Sequence, residues 1–553
     1  MKKNKHLLLW SSLGVSALLI VAAIDENFFK EWRKVQAATK GDSGPIDVRL
    51  RQVVIPALKV TDRCVSCHVG MAPGEQGLSG PKVVSSHKPV GHDPGEYGCT
   101  VCHGGQGRAT DKADAHGDVQ FWPEPMIPSR FAYAGCGSCH THLSVPHPAQ
   151  LARGQTLVER YDCLACHRLN GRGGTLRPKG TGGGMEGPDI SRIGAHGIDA
   201  QWYTKHLDKS KATIDGPWKA SFGPIDESDL AAIDAFLAAQ VGAPGLVEAK
   251  AMFHSLGCNG CHKVGGVGGD DGPDLTLEGK KDPGRLDFHH VPGEHVLANW
   301  LAEHFRRPSI VVPGSQMPNL GLSDEQIELL TYYMLSLRQS NLPEAYWPKD
   351  RVRAMRFGER EFATDGETLF GTFCAACHGT SGEGKRYPGM PVFPAVGNKD
   401  FLAVASNAFI AETIRKGRPG RRMPAWGEKE GGLRPAEIAN IVSFLRAQSG
   451  QKEPTPEHPT HRWIEANPLN GRMMYANYCA GCHGAKGQGV EAPPLANKGL
   501  LAAASDDYLT GTIARGRRGT AMQAFASPSP VHPALSPSDI EAIVAFIRTW
   551  EEP

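Results

Sequence analysis

Apolar residues are distributed very unevenly along the 553-residue chain. From Leu7 to Ile24 they run without a charge, behind Lys2, Lys3 and Lys5 and ahead of Asp25 and Glu26. Such a run reads as a secretory leader or as an uncleaved membrane helix with its basic end inside. Its length is near the lower limit for crossing a bilayer. Phe28, Phe29 and Trp32, mixed with Lys30, Arg33 and Lys34, make a collar suited to a membrane surface, which favours the membrane helix. Cleavage after Ala23 is the alternative, and in both cases the remainder is exported. From Asp47 to Pro148 helical periodicity is scarce and Gly, Pro and His are frequent. Beyond Gln150 apolar positions recur at threes and fours in short segments, which predicts amphipathic helices.

Those helical segments repeat. Leading segments begin with a small residue at Gly154, Ala249, Gly366 and Gly471, and closing segments cover 228–240, 323–338, 436–448 and 538–550. Within each repeat a Pro stands two residues ahead of an aliphatic residue: Pro188 with Ile190, Pro273 with Leu275, Pro394 with Val396 and Pro493 with Leu495. The last two repeats run in the same register from Thr413 to Met423 and from Thr512 to Met522. The first two share a W-x-x-x-H helix, with His206 matching His304. Pro-rich or charged linkers, notably 341–357 and 450–468, separate units.

Cysteine decides the chemistry. All 14 cysteines fall in C-x-x-C-H pentads, at Cys64/Cys67/His68, Cys99/Cys102/His103, Cys136/Cys139/His140, Cys163/Cys166/His167, Cys258/Cys261/His262, Cys374/Cys377/His378 and Cys479/Cys482/His483. This is the attachment signature of c-type heme. Two thiols at this spacing add to the two vinyl groups of one porphyrin, and the adjacent imidazole ligates iron. A disulfide framework or a thioredoxin-like pair would lack the trailing His, and zinc half-sites would not leave every cysteine accounted for. Seven covalent hemes c are expected, with His68, His103, His140, His167, His262, His378 and His483 as proximal ligands. The net charge of +2 implies no nucleic-acid partner.

From Gln150 onward the frame of leading helix, pentad, Pro and closing helix resembles the small monoheme cytochrome c family. That resemblance implies two helices crossing beside each heme, and Pro188, Pro273, Pro394 and Pro493 carbonyls holding the proximal His by its second nitrogen. It also implies distal Met ligands from the loop before the closing helix, at Met317, Met423 and Met522. In the unit at Cys163 the aligned position is Lys219, and Met185 comes too early in the sequence. Lys219 as a ligand, His196, His206, a His from the preceding module, an open iron, or Lys219 as a plain loop residue all stay open there.

In the region 47–149 the stretches DRCVSCHVGM, SHKPVGHDPGEYGCTVCHGGQGRAT and ADAHGD resemble the triheme region of membrane-anchored multiheme cytochromes found beside quinol-oxidising cytochrome b-type complexes. His87, His92 and His116 lie near pentads without belonging to one and are the candidate distal ligands, with His142 and His147 in reserve. His289, His290 and His295 share one insertion, best read as a surface loop.

The predicted fold is mainly α: an N-terminal transmembrane helix, a loop-rich heme-packed triheme module, then four small all-α cytochrome c domains in tandem. The expected divisions are 1–46 (anchor and juxtamembrane segment), 47–149 (triheme module), 150–243 (monoheme, atypical distal ligand), 244–340, 357–450 and 466–553 (monoheme). The expected role is electron transfer from a quinol-oxidising membrane complex to a small periplasmic cytochrome or a terminal oxidase. The chain would be anchored in the bacterial inner membrane, with its heme domains in the periplasm. A redox enzyme using an open heme at Cys163, or an extracellular conduit, are the alternatives.

Overall fold

The computed structural model describes residues 2–75, 77–88, 90–143, 145–174, 187–196, 225–390 and 392–551. The architecture is mainly helical, with only two-stranded hairpins as sheet among the described residues. The apolar run forms the helix Lys2–Ile24, extended by a single π turn at Asp25–Phe29. At 1.5 Å per residue the helix is about 35 Å long, enough to match a hydrocarbon core of about 30 Å. Leu7, Leu13, Leu18 and Ile20 stand exposed along it, as do Phe28 and Phe29.

Trp32 departs from the expected collar. It lies on the next helix, Glu31–Ala37, and is 5% exposed. That helix docks on the first pentad: the Gln36 amide donates to the Ser66 carbonyl at 2.8 Å and accepts from the Arg51 guanidinium at 2.6 Å. Of the collar's three aromatics, Phe28 and Phe29 are left facing outward.

Short helical turns and one hairpin build the next region. Val53–Ile55 pairs antiparallel with Val60–Asp62, with Val53 opposite Asp62 and Ile55 opposite Val60. The hairpin ends on a buried carboxylate with a task. Asp62 accepts from the Cys99 N–H at 2.5 Å, the Thr100 N–H at 2.9 Å and the Thr100 hydroxyl at 2.8 Å. It thus caps the helical turn Thr100–His103 from outside, satisfying N–H groups that the turn cannot.

Each of the four later units packs a leading helix across a closing helix: Pro148–Arg160 with Glu227–Ala238, Pro244–Ser255 with Asp324–Ser336, Gly366–Phe373 with Pro435–Ser449, and Pro468–Tyr478 with Pro537–Arg548. In three of the four repeats the starting residue, Gly154, Gly366 or Gly471, is the crossing point. A Cβ added at Gly366 would lie 2.2 Å from the Asn440 carbonyl, and one at Gly471 would lie 1.9 Å from that of Ala542. Side chains there would force the helices apart.

The units are not independent beads. Ile127, Phe131, Leu143 and Val145 share a core with Leu246, Phe253, Leu330 and Tyr333 of the second unit. The third and fourth units share another, including Phe370, Ile441, Tyr475 and Ile543. Across the latter seam the contacts are reciprocal. The Asn398 amide donates to the Arg518 carbonyl at 2.9 Å, and Asn497, its counterpart in the repeat, donates to the Pro419 carbonyl at 3.1 Å.

Both linkers are structured. The segment 341–357 contains the helix Lys349–Phe357, with Arg351 and Ala354 buried. In 450–468, His458 stacks on Trp463 at 3.6 Å and bonds Asp507 at 2.8 Å.

Candidate functional site

All seven pentads adopt one local geometry. The N–H of each terminal His donates to the carbonyl of the first Cys, at 2.8 Å for His68, 3.0 Å for His103, 2.9 Å for His140, 3.0 Å for His167, His262 and His483, and 2.9 Å for His378. One closed helical turn therefore puts the two sulfurs on the same side with the imidazole beside them, because residues three and four apart share a face. None of the 14 cysteines is in a disulfide. Burial pushes the thiols of Cys136, Cys258, Cys374 and Cys479 up to about 12, so they are not thiolates poised for zinc or nucleophilic chemistry. Among the described residues no group of three or more His, Cys, Asp or Glu converges on a metal-sized site.

One second cysteine, Cys482, departs from that enclosed pattern: it is exposed, whereas every other cysteine is buried or half-buried. The N–H groups of Cys166 and Cys482 reach the carbonyls of Cys163 and Cys479 at 3.3 Å, the longest such bonds among the seven pentads. The open flank at Cys482 has a local cause. Gly481 beside it has nothing within 4 Å of an added Cβ, whereas Cys377, its counterpart in the preceding repeat, is covered by Cys261. Cys482 is thus set in place by the pentad's closed turn rather than by enclosure.

The proximal rings of the four later units are locked as the cytochrome c resemblance implies. Nδ1 of His167, His262, His378 and His483 donates to the carbonyls of Pro188, Pro273, Pro394 and Pro493, at 2.9, 2.9, 2.8 and 2.7 Å. A carbonyl only accepts, so the proton sits on Nδ1 and the ligating lone pair on Nε2. Desolvation pushes His262, His378 and His483 below the ordinary histidine value, which keeps the rings neutral.

In the first module the folding brings together histidines that the sequence leaves unpaired. The His87 ring is edge-on to that of His103, 6.1 Å between centres and inclined by 63°, and the His92 ring lies near-parallel to that of His140, 6.0 Å between centres and inclined by 26°. Two imidazoles bound through nitrogen to opposite sides of one metal, with bonds of about 2 Å, have centres about 6 Å apart. The two pairs have the centre spacing that a metal held between them would require. The His87 Nδ1 donates to the Lys88 carbonyl at 2.6 Å, which leaves its Nε2 as the ligating atom. His116, at the end of the turn Lys112–His116, is the charge neighbour of His68: after desolvation, it is the next cause lowering the His68 ring.

The reserve histidines are otherwise engaged. His142 lies 3.4 Å from the Glu361 carboxylate, which also holds Lys250 at 2.8 Å, and His147 caps the helix Pro148–Arg160. His289 packs edge-on to His290, while His295 stacks on Phe288. Met185, His206 and Lys219 lie outside the described residues, as does the side chain of His196. His304 stacks on Trp300 at 5.0 Å and is held down at about 4, by desolvation first and then by Lys281 and His262, so it sits beside the Cys258 pentad.

The loops bearing Met423 and Met522 are built alike. The N–H of Arg418 donates to the Met423 carbonyl and that of Arg517 to the Met522 carbonyl, both at 2.8 Å. Gly417 and Gly516 precede them at φ of 64° and 64°, where an added Cβ would run into the loop backbone. Both methionines, and Met317 in the second unit, are partly buried against their unit's core. Two pairs of pentads also lie side by side: Cys64 and Cys99 are electrostatic neighbours, as are Cys261 and Cys377, and a Cβ added at Gly257 would lie 2.9 Å from the Ala376 Cβ.

Comparison with known proteins agrees with this geometry. The family model described as cytochrome c matches residues 151–240, 246–338 and 469–551, and that described as cytochrome C oxidase, cbb3-type, subunit III matches 361–445. The Cbb3-type cytochrome c oxidase subunit FixP of Bradyrhizobium sp. (strain ORS 278) is 33% identical over 194 residues, which is 33% of this chain and 59% of that protein. Subunit CcoP of Rhodobacter capsulatus is 29% identical over 196 residues, 33% of this chain and 61% of that protein. The chain thus spans about three fifths of the length of the curated relatives it matches. A solved structure of the Kuenenia stuttgartiensis reducing HAO-like protein complex covers 34% of this chain and 96% of its own, at 21% identity and a TM-score of 0.24. Pentads closed by one repeated turn, carbonyl-locked imidazoles and repeated cytochrome c domains make this chain a member of the c-type cytochromes, and a multiheme one.

Proposed function

We propose that the chain holds seven covalent hemes c and carries electrons from a membrane donor to a periplasmic acceptor. The observation that supports this most directly is the pairing of His87 with His103 and of His92 with His140, each at the centre spacing of two imidazoles on one metal. Both axial positions filled by protein leave no place for substrate, which suits conduction rather than catalysis. Each Cys pair would anchor the group and the pentad His would ligate it. His87, His92 and His116 would complete the sets in the first module, and Met317, Met423 and Met522 those of the later units. Heme c supplies a one-electron iron couple whose potential is higher with His/Met than with His/His ligands.

That difference sets a direction. Residues 47–149, beside the apolar helix, hold the His/His sets, and the units at 357–450 and 466–553 hold His/Met sets. Electrons would therefore enter near the membrane and leave through the C-terminal pair. Adjacent pentads, Cys64 beside Cys99 and Cys261 beside Cys377, support a continuous path, because neighbouring attachment sites lie close together.

The suspected donor is a quinol-oxidising cytochrome b-type complex. The likeness of part of the chain to cbb3 oxidase subunits supports a terminal oxidase as the acceptor, with a small periplasmic cytochrome as the other candidate. The chain would sit at the inner membrane through its N-terminal helix, with the heme domains in the periplasm. A potentiometric titration of the intact protein, followed by EPR, tests the reading. His/His signals titrating below His/Met signals are expected. The reverse order would overturn the proposed direction.

A further inference from the structure

One proximal histidine is held differently from those of the later units. His140 does not meet a Pro carbonyl; its Nδ1 lies 3.4 Å from each oxygen of the Asp350 carboxylate. Asp350 belongs to the helix Lys349–Phe357, the segment that reads in sequence as a linker. The helix is firmly seated. Arg351 is buried with its guanidinium over the Trp347 ring at 5.0 Å, and Tyr346 packs edge-on to Tyr97 at 5.6 Å. Tyr97 in turn touches His92, the ring that faces His140, at 4.7 Å. Among the described residues Asp350 has no Lys or Arg within ion-pair distance, so His140 is its one salt-bridge partner.

We propose that Asp350 is a potential-setting residue for the site at Cys136, Cys139 and His140, making it the lowest-potential His/His site of the first module. This rests on the reading that the pentad binds heme c with His140 and His92 as axial ligands. A carboxylate accepting the Nδ1 proton draws that proton away from the ring. It makes Nε2 a stronger donor, and a more basic axial ligand stabilises the oxidised iron over the reduced. The carbonyls at His167, His262, His378 and His483 bond their rings more closely, at 2.7–2.9 Å, but carry no net charge, so what sets His140 apart is the ionic charge of its partner. The full negative charge of Asp350 acts in the same sense, opposing the electron that reduction adds.

The test uses the full-length, heme-loaded protein with Asp350→Asn and Asp350→Glu, read by EPR-monitored potentiometry and intact mass. His92→Met marks which signal belongs to this site, because it alters that ligand set alone. In the unmodified protein, the marked signal should titrate below the other His/His signals. Asp350→Asn should raise it by at least tenfold in the one-electron equilibrium, about 59 mV, and leave the His/Met signals in place. Asp350→Glu should keep it low. A marked signal that does not lie lowest in the unmodified protein overturns the proposal, even if the Asn variant fails to fold. A fully loaded Asn variant with unchanged potentials also overturns it. A mass short of one heme at Cys136 in the unmodified protein would instead sink the underlying assignment, and a heme count keeps these failures apart.

Discussion

Phe409 and Tyr508 meet ring to ring at 4.2 Å across the seam of the last two units, and they occupy the same place in the two repeats. Around them Asn398 and Asn497 exchange equivalent hydrogen bonds with the opposite unit. The pair is thus built like a symmetric dimer fused into one chain, with a common core in place of two separate ones.

Phe409→Ala should therefore cost about 3 kcal/mol or more, the usual range for a buried Phe, and loosen both units together. Tyr508→Ala should couple to it by about 0.5–1.5 kcal/mol in a double-mutant cycle, the range for aromatic pairs. Chemical denaturation of the 357–553 portion within the intact protein, followed at the Met-ligated absorbance, provides the measurement. Strict additivity would mean that the rings do not support each other.

Acid should weaken the same seam. The Arg518 guanidinium beside Asp400 holds its carboxyl below the ordinary value. A lowered carboxyl stabilises the fold above the unfolded value, near pH 4, and that contribution vanishes as pH falls through the folded value. Melting temperatures measured from pH 6 to pH 2 should fall more steeply for the native chain than for Asp400→Asn. High salt should narrow the gap, since Arg518 is 83% exposed.

Heme content is countable. Intact mass should give seven additions, and replacing both cysteines of any one pentad by Ala should remove one. The exposed Cys482 is included in that expectation. Six or fewer in a fully matured native preparation would mean that one pentad, despite its closed turn, is not an attachment site.

Met423→His should lower one high-potential signal by several tenfold steps, each about 59 mV for one electron, and leave the His/His signals in place. Met522→His should do the same to a second signal. If neither moves, the methionines are core residues of their loops rather than ligands.

The full-length protein should stay with membranes after a salt wash, while a version carrying a cleavable leader in place of residues 1–24 should be soluble. Release of the full-length protein by salt alone would mean that Leu7–Ile24 is removed on export.

Local chemistry is readable from the chain, and distant pairing is not. The pentads and the four Pro carbonyls depend on neighbours a few to about twenty residues apart, so spacing betrays them, and the crossing helices show through their own apolar periodicity. Spacing does not tell how deeply each thiol sits: Cys377 and Cys482 hold the same place in their repeats, yet a neighbouring pentad covers only the first. His87 and His92 stand out by composition, but nothing local tells which pentad each faces; the turns and the hairpin Val53–Asp62 decide that. Trp32 looks like a membrane-surface residue because its neighbours are basic, yet Gln36, one turn on, ties its helix to Ser66. Asp350 is hidden in a charged stretch that resembles a spacer. Buried Arg351 next to it breaks that resemblance, but a long side chain in a polar run gives no periodic signal.

The partnership of Asp350 with His140 also orders biogenesis. The carboxylate lies 210 residues downstream of the ring it meets. At roughly 5–20 residues per second, about ten to forty seconds of synthesis separate the two. During that interval two whole units are made, and the third pentad exists without the helix that closes over it. The Cys136 site is consequently completed after its neighbours at Cys163 and Cys258 have emerged, although it precedes both in the chain. A nascent protein stalled before residue 350 would hold an unfinished third site, and a quality-control protease would find its exposed flank there.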